Sequence, residues 1–250
     1  MAPSPLPLEK PPITEALLDV QVSFPQVIDV ERLRQLGETL QSEYPGVRPQ
    51  LFAKVSFSPQ PASLSTQSAL NQGLRGYSFS SSDSKEVVQF RLDGFTFNRL
   101  APYTPWEDMH RKARAAWRHY REAFGDAKVT RVATRFINRV SIPLDKGEAE
   151  LDDYFALGTK DPHDKNLEFV NFFSHQGFID LKTGFGANIN TAMQPIENGR
   201  LPVILDIDVF EQRPEQLEAN EPFSILAAMR DVKNRLFLKS LTPKALDLFK

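Results

Sequence analysis

The sequence predicts an α+β fold: two halves of order β-α-βββ-α form one long curved antiparallel sheet, with long helices packed on one face. Several segments alternate apolar and polar residues, as strands with one buried face do. Other segments repeat apolar residues every three or four positions, as amphipathic helices do. This order of segments occurs twice, in residues 13–126 and 127–250, and indicates one pseudo-symmetric domain.

Composition excludes several classes of function. The chain has 250 residues and no cysteine. This excludes disulfides, thiolate nucleophiles, sulfur-ligated zinc and iron–sulfur clusters. A net charge of −2 provides no overall field that would attract nucleic acid or anionic lipid, so only a local basic surface could do so. No apolar run approaches the roughly 20 residues that cross a bilayer. We therefore predict a cytoplasmic protein without a membrane partner.

The N-terminal segment is predicted to be a disordered tail. Residues 1–12 contain five prolines and few residues that could pack in a core. Such a composition favours a disordered or polyproline-like conformation. Order is therefore expected to begin at Ile13.

The first half begins with a strand over Glu15–Phe24, where apolar and polar residues alternate. Asp29 is a predicted N-cap for a helix whose apolar stripe runs to Tyr44, before Pro45. Two short strands follow at 51–57 and 75–80, and the Ser, Pro and Gln content of 58–72 predicts an exposed loop between them.

A hairpin and a long helix complete this half. The strands 86–92 and 95–100 flank Asp93-Gly94, a pair that tolerates positive φ and favours a tight turn. The helix begins after Pro105 and places its aromatic and aliphatic residues on one stripe. Gly125 is expected to end it as a C′ glycine.

The second half begins with a long strand over Val129–Ile142, whose alternate residues divide between two faces. A short helical turn is predicted at 151–157 and the last long helix at 222–238. The remaining predicted segments are strands at 167–173, 178–180, 187–193 and 202–210 and a final turn or helix at 243–249. Laid side by side, the two halves resemble the duplicated saddle of TATA-binding-protein-like folds in element order.

Scattered short motifs also resemble a sporadically distributed, uncharacterised family of bacterial proteins, from about Pro11 to the C-terminus. The motif residues are Pro11-Pro12-Ile13, Glu15-Ala16, Asp19, Phe97-Asn98, Tyr103, Trp106, Arg135, Ile137-Asn138-Arg139, Leu205-Asp206-Ile207-Asp208, Phe237 and Thr242-Pro243. The resemblance implies no catalytic residue. The patchy distribution of the family is typical of accessory genes, including toxin–antitoxin and phage-defence functions.

Three arginines on one strand form the first candidate site. Arg131, Arg135 and Arg139 occupy alternate positions, so they project from one face, with the first and last about 27 Å apart. If helices cover the other face, these guanidinium groups lie on the open face, where they could clamp phosphates or carboxylates. The simpler alternative is that these arginines are hydrated side chains on an exposed sheet face, or that they form ion pairs with nearby acidic residues.

Asp206 and Asp208 form the second candidate site. They point the same way on a strand, about 7 Å apart. The pair could hold Mg²⁺, with Glu168 as a third carboxylate from a neighbouring strand. The favoured alternative is that they neutralise Arg135 and Arg139 across the sheet.

Nucleophilic catalysis and base stacking have less support. The chain has no Gly-x-Ser-x-Gly motif, and its four histidines lack metal-ligand spacing, so each is expected at the surface. Alternation directs most strand aromatics toward the helices, which predicts core packing rather than stacking of bases. The aromatics in question are Phe95, Phe97, Phe172, Phe173, Phe178 and Phe185.

The sequence therefore favours a non-catalytic binding or regulatory protein without a cofactor. Its open sheet face would recognise a protein segment, nucleic acid or an anionic ligand through Arg131, Arg135 and Arg139, with Asp206 and Asp208 orienting them. One alternative is a metal-dependent phosphoesterase or nuclease that uses Asp206 and Asp208. Another is a subunit of a toxin–antitoxin or phage-defence complex. The oligomeric state is left open.

Overall fold

The fold is α+β, as predicted, and its strands form one open, nine-stranded antiparallel sheet. The computed structural model describes residues 8–56, 69–145, 149–156 and 170–250. In chain order the strands are β1 (Ile13–Ser23), β2 (Gly46–Ser56), β3 (Ala69–Ser80), β4 (Glu86–Arg91), β5 (Gly94–Leu100), β6 (Lys128–Pro143), β7 (Phe173–Ile179), β8 (Gly186–Met193) and β9 (Arg200–Glu211). Their order across the sheet is β2-β3-β4-β5-β1-β6-β9-β8-β7.

The described ranges contain five α-helices and one short 3₁₀ turn at Leu151–Asp153. The helices are α1 (Glu31–Glu38), α2 (Trp106–Ala123), α3 (Pro214–Ala219), α4 (Pro222–Ser240) and α5 (Pro243–Asp247). Asp29 accepts a hydrogen bond from the Glu31 amide at 3.0 Å, which satisfies a free donor at the start of α1. No helix in these ranges has the length and apolar character needed to cross a membrane.

One face of the sheet forms the hydrophobic core with the helices. Leu18 and Val20 of β1 are buried, whereas the alternating residues of the same strand are partly exposed. On this face the Phe95 ring lies 5.7 Å from Trp117 of α2, and Phe90 lies 5.9 Å from Tyr120. At the other end of the sheet, α4 contacts β6 and β9. The opposite face, which we call the open face, carries the polar residues of the alternation.

The two parts of the chain meet at the β1–β6 pair in the middle of the sheet. In each part the first strand pairs with the last strand of the meander that follows it: β1 with β5, and β6 with β9. The first part has four strands between its helices, β2 to β5, which agrees with the four predicted segments but is one strand more than the predicted βββ order. The second part has three, β7 to β9.

Several boundaries differ from the sequence predictions. The segment 173–179 is one continuous strand through Gly177, where the sequence predicted two strands separated by that glycine. Helix α3 was not predicted. Gly125 follows the end of α2 without a positive φ, so it is not the left-handed C′ glycine that was expected. Residues 69–72 belong to β3 rather than to the predicted loop. The rest of that loop, residues 58–68, lies outside the described residues, and so do residues 167–169 of the strand predicted at 167–173.

Part of the predicted N-terminal tail is described. The Lys10 amide donates to the Phe249 carbonyl at 3.0 Å, and the Pro12 carbonyl accepts from the Arg139 amide at 2.8 Å. Leu8 packs against the core. These contacts attach residues 8–12 to the C-terminus and to β6, while residues 1–7 lie outside the described ranges.

Candidate functional site

The three predicted arginines lie together on the open face. Arg131, Arg135 and Arg139 alternate on β6 with residues that are buried beneath the helices. The sheet register places Asp208 opposite Arg135 and Asp206 opposite Ile137. The carboxylates and guanidinium groups therefore share one face, as the alternation in both strands predicted.

Arg135 and Asp206 form the central ion pair of this face. Arg135 donates from Nε to Oδ1 at 2.8 Å and from Nη2 to Oδ2 at 2.7 Å, a bidentate geometry. The hydrogen bond to Asp206 raises the pKa of Arg135. The Asp206 side chain is only 7% exposed, whereas that of Arg135 is 47% exposed. Arg135 therefore neutralises a buried carboxylate while keeping one side of its guanidinium in solvent.

Arg131 neutralises the second aspartate. Its Nη2 lies 2.6 Å from Asp208 Oδ2, and its guanidinium carbon lies 4.8 Å from the centre of the Phe210 ring. Burial raises the pKa of Asp208, although the charge of Arg131 and its hydrogen bond act in the opposite direction. The effect of desolvation on the pKa of Asp208 is therefore larger than the opposing effect of Arg131.

Arg139 pairs with Glu197, a residue that the sequence analysis missed. The expectation that Asp206 and Asp208 neutralise Arg135 and Arg139 is therefore correct for Arg135 and wrong for Arg139. Both side chains of this pair are well exposed, 40% for Arg139 and 57% for Glu197. Glu197 lies outside the strands, so strand alternation carried no signal for it.

A separate row of hydrogen-bonded polar side chains crosses the first half of the sheet. Gln50 Nε2 donates to Gln89 Oε1 at 2.8 Å, and Gln89 Nε2 donates to Asn98 Oδ1 at 2.8 Å. Asn98 then donates to Glu15 Oε1 at 2.5 Å. These four side chains connect β2, β4, β5 and β1 on the open face. The alternation of polar residues in these strands indicates that the four side chains lie on the open face. The sequence does not give the register of the strands, which decides which side chains meet.

A second row of side chains is charged. Arg91 Nη2 lies 2.9 Å from Asp19 Oδ1, and Thr96 donates to the same oxygen at 2.6 Å. Arg91 also pairs with Asp93, which in turn pairs with Arg75. Asp19 Oδ2 lies 3.9 Å from Arg131 Nη1, so this row joins the arginine site. Charges of opposite sign therefore alternate from Arg75 to Asp208.

A third group of bonded side chains reaches the far edge of the sheet. Asn190 of β8 donates to Asp206 Oδ2 at 3.1 Å, and His175 Nδ1 of β7 lies 2.7 Å from Asn190 Oδ1. A cleft of about 520 Å³ lies at this end and is lined in part by Gly177, Asn188 and Phe210. Hydrogen bonds thus hold the open-face side chains in place up to the outermost strand.

A metal site at Asp206 and Asp208 receives no third ligand within the described ranges. No group of three histidine, aspartate or glutamate side chains there lies close enough to share an ion. Glu168, the third ligand that the sequence analysis suggested, lies outside those ranges. A cation would also have to displace Arg135 and Arg131, which already neutralise the two carboxylates.

The described histidines divide between the two faces. His110 does not have the surface role that was expected, because Nε2 lies 2.9 Å from the Phe223 carbonyl and the ring packs edge-on against Phe223 at 5.2 Å. It therefore helps to join α2 to α4. His175 lies on the open face, and His163 lies outside the described ranges.

Lys233 of α4 is a half-buried base that the sequence analysis missed. Its Nζ lies 4.0 Å from the centre of the Phe136 ring. Burial lowers its pKa to about 7, and the nearby positive charge of Arg230 acts in the same direction. Arg230 is itself paired with Glu107 of α2 at 2.7 Å. This site lies beneath the sheet on the helical side and is separate from the open face.

The chain matches no model of a known protein family and no curated protein. The resemblance to the bacterial family therefore stays a prediction, and the site must be interpreted from its own geometry.

Proposed function

We propose that this is a non-catalytic binding or regulatory protein whose open sheet face recognises a segment of another protein. The observation that carries the proposal is the set of three bonded groups of polar side chains that together cover the open face. One group runs from Gln50 to Glu15, one from Arg75 to Asp208, and one from Arg135 through Asp206 and Asn190 to His175. In the described ranges the helices pack on the opposite face. A partner would therefore meet side chains that are already held in position, which lowers the entropic cost of binding.

The charge balance favours a protein segment over nucleic acid or a small anion. Each guanidinium of Arg131, Arg135 and Arg139 already contacts a carboxylate. A phosphate would have to compete with these carboxylates, so the release of counterions that drives binding to nucleic acid would be small. A peptide can instead use the carboxylates and amides as acceptors and donors. Asp206 then orients Arg135, Asp208 orients Arg131 and Glu197 orients Arg139, and the partly exposed Arg135 and Arg139 contact the partner.

A pull-down from the native host tests this choice of ligand. Tagged protein is incubated in lysate with and without nuclease, and bound protein and nucleic acid are both analysed. We expect one stoichiometric protein partner that is retained after nuclease treatment and at raised salt. Recovery that disappears with nuclease would contradict the proposal and favour phosphate recognition, and empty beads would contradict partner binding itself.

The alternative of a metal-dependent phosphoesterase or nuclease gains no support from the described residues, because arginines occupy both aspartates. The alternative of a subunit in a toxin–antitoxin or phage-defence complex is compatible with the proposed protein partner. The resemblance to the bacterial family supports that setting, and the absence of cysteine supports a cytoplasmic location.

We also propose that residues 13–126 and 127–250 are pseudo-symmetric halves related to TATA-binding-protein-like folds. The supporting observation is that β1 with β5 and β6 with β9 make equivalent pairs on either side of the β1–β6 centre. The unequal strand numbers of the two parts mean that any duplication was followed by gain or loss of a strand.

A further inference from the structure

The two outer strands of the sheet, β2 and β7, differ in how they are protected from pairing with another chain. β2 carries Arg48 and Pro49, and its register shifts between Gln50 and Leu51. Charged residues, proline and bulges are the devices that prevent edge strands from associating. β7 has the sequence FSHQGFI, with no proline, no lysine, arginine or acidic residue, and no register shift against β8.

The two ends of β7 are also apolar. Phe173 and Ile179 at its two ends are each 70% exposed, and Phe178 is 39% exposed. The prediction that Phe173 and Phe178 pack in the core is therefore wrong, whereas Phe95, Phe97 and Phe185 are buried as predicted. Val170 and Leu181, just beyond the strand, are largely exposed as well. Large apolar residues that are exposed at both ends of one strand are typical of an interaction site.

The pairing with β8 shows which backbone groups of β7 have no strand partner among the described residues. The Phe172 carbonyl accepts from the Met193 amide, and the Asp180 amide donates to the Phe185 carbonyl. In an antiparallel ladder, hydrogen-bonded and non-hydrogen-bonded pairs alternate. Even-numbered residues of β7 therefore bond to β8. The N–H and C=O groups of Phe173, His175, Gly177 and Ile179 point away from the sheet.

We propose that β7 pairs antiparallel with β7 of a second copy of this chain, about a twofold axis at Gln176. In this register Phe173 lies opposite Ile179 of the partner subunit, and His175 lies opposite Gly177 of the partner subunit. The free backbone groups then satisfy one another in pairs, and the two most exposed apolar residues of the strand cover each other. The strand is self-complementary because it has no formal charge that would be placed against itself.

Gln176, at the centre of this register, provides an independent observation. Its side-chain oxygen Oε1 is buried and has no hydrogen-bond partner among the described residues. A buried acceptor without a partner destabilises a fold. Because this oxygen is enclosed in the monomer, the Gln176 side chain has to turn outward to reach a second subunit. In the proposed dimer Gln176 faces Gln176 of the partner subunit in a closely spaced non-hydrogen-bonded pair, and two side chains turned toward each other let each amide donate to the other oxygen.

The dimer would join the two sheets edge to edge and extend both open faces into one surface. Its formation does not depend on the partner proposed above. The oligomeric state and partner capture can therefore be tested separately.

Sedimentation of the full chain at micromolar concentration tests the dimer. We expect a wild-type dimer and a monomer for the double variant Phe173→Lys plus Ile179→Lys, with the dissociation constant raised more than about tenfold by like charges placed opposite each other. Leu51→Lys, at an exposed apolar position of β2, is the matched control and should stay dimeric. Unchanged melting temperatures would show that all variants fold.

A charge-reversal experiment tests the register itself. The double variant Phe173→Glu plus Ile179→Glu should also be monomeric. Mixed with the lysine double variant it should form a heterodimer, because each lysine then lies opposite a glutamate. A wild-type monomer, a dimer that Leu51→Lys dissociates but the β7 variants do not, or a mixture that stays monomeric would each overturn the proposal. A monomer that instead captures another protein through β7 would assign this edge to a different partner.

Discussion

Arg135 shows how a single side chain can serve both folding and binding. It neutralises the buried Asp206 with two hydrogen bonds, yet about half of its own side chain remains exposed. Removing one member of a buried pair leaves an uncompensated charge, which costs far more than an exposed pair contributes. Replacing Arg135 alone to test binding would therefore also lower stability, so loss of capture would be ambiguous.

A double-mutant cycle measures this coupling. We expect Arg135→Ala to lower the free energy of unfolding by about 2 kcal/mol, and Arg135→Ala plus Asp206→Ala to recover part of the loss. Denaturant unfolding of the four proteins gives the coupling energy.

The Arg139–Glu197 pair is the matched control on the same face. Both of its side chains are exposed, so its coupling energy should stay below about 1 kcal/mol. Equal coupling in the two cycles would show that burial of Asp206 does not set the strength of its pair.

Lys233 predicts a pH dependence of stability. Its pKa is about 7 in the folded protein against 10.5 for a free lysine side chain, so the unfolded chain binds the proton more tightly. The free energy of unfolding therefore decreases as the pH falls from about 10.5 to about 7. Below about pH 7, Lys233 is protonated in both states and causes no further change. The free energy of unfolding changes with pH by at most about 1.4 kcal/mol per pH unit through this one group.

The variant Lys233→Met isolates this effect, because it keeps an unbranched side chain over Phe136 but cannot titrate. Urea unfolding at several pH values between about 7 and about 9.5 is compared for the two proteins. The stability of the wild type should rise relative to the variant as the pH increases. Parallel curves would show that Lys233 is not desolvated in the folded protein.

Side-chain type and alternation predicted which arginines and aspartates share the open face. They could not predict that Arg139 pairs with Glu197, because that contact depends on where the segment between β8 and β9 folds back. Lys233 was missed for a similar reason. It lies beside the apolar stripe of α4, and only its packing against β6 desolvates it.

At the scale of elements, the β4–β5 hairpin was predicted with nearly correct bounds because its turn depends on a glycine that is visible in the sequence. Gly94 adopts φ +147°, and a Cβ there would lie 2.2 Å from the Val20 carbonyl oxygen. The glycine therefore makes the turn and also allows β1 to approach β5.

Gly94→Ala should lower the free energy of unfolding by at least about 2 kcal/mol. Gly125→Ala is the matched control, because Gly125 has no positive φ and the nearest backbone atom outside its chain neighbours would lie 3.7 Å from a Cβ. That variant should change stability by less than about 0.5 kcal/mol in the same denaturant experiment. Similar losses in both would contradict the role assigned to Gly94.

β7 was divided wrongly because it lacks the signal that identifies the other strands. An edge strand with little burial on either face need not alternate apolar and polar residues. Gly177 was therefore interpreted as a break, although it continues the strand. β7 has exposed aromatic residues and no charged residue. These features made the strand difficult to predict from the sequence, and they also make it a candidate interface.

At the scale of the whole molecule, local patterns predicted the α+β class and the antiparallel sheet. They also predicted the five separate strands of the first part, although the proposed β-α-βββ-α order counts one strand too few there. The order of strands depends on pairings between distant segments, such as β1 with β6 and β6 with β9, which no local pattern specifies. The polar contacts across the open face form only once those pairings are made.

The measurement that tests the central claim most directly compares capture of the protein partner by two arginine variants. Leu17→Arg adds a bulky charge near the middle of the open face, where Leu17 lies opposite Asn98 and Arg135. Ala115→Arg makes the same change on α2, on the opposite side of the sheet. With melting temperatures close to wild type, Leu17→Arg should abolish capture and Ala115→Arg should retain it. Retained capture by Leu17→Arg, with loss in Ala115→Arg, would place the binding surface on the helices and contradict the proposal.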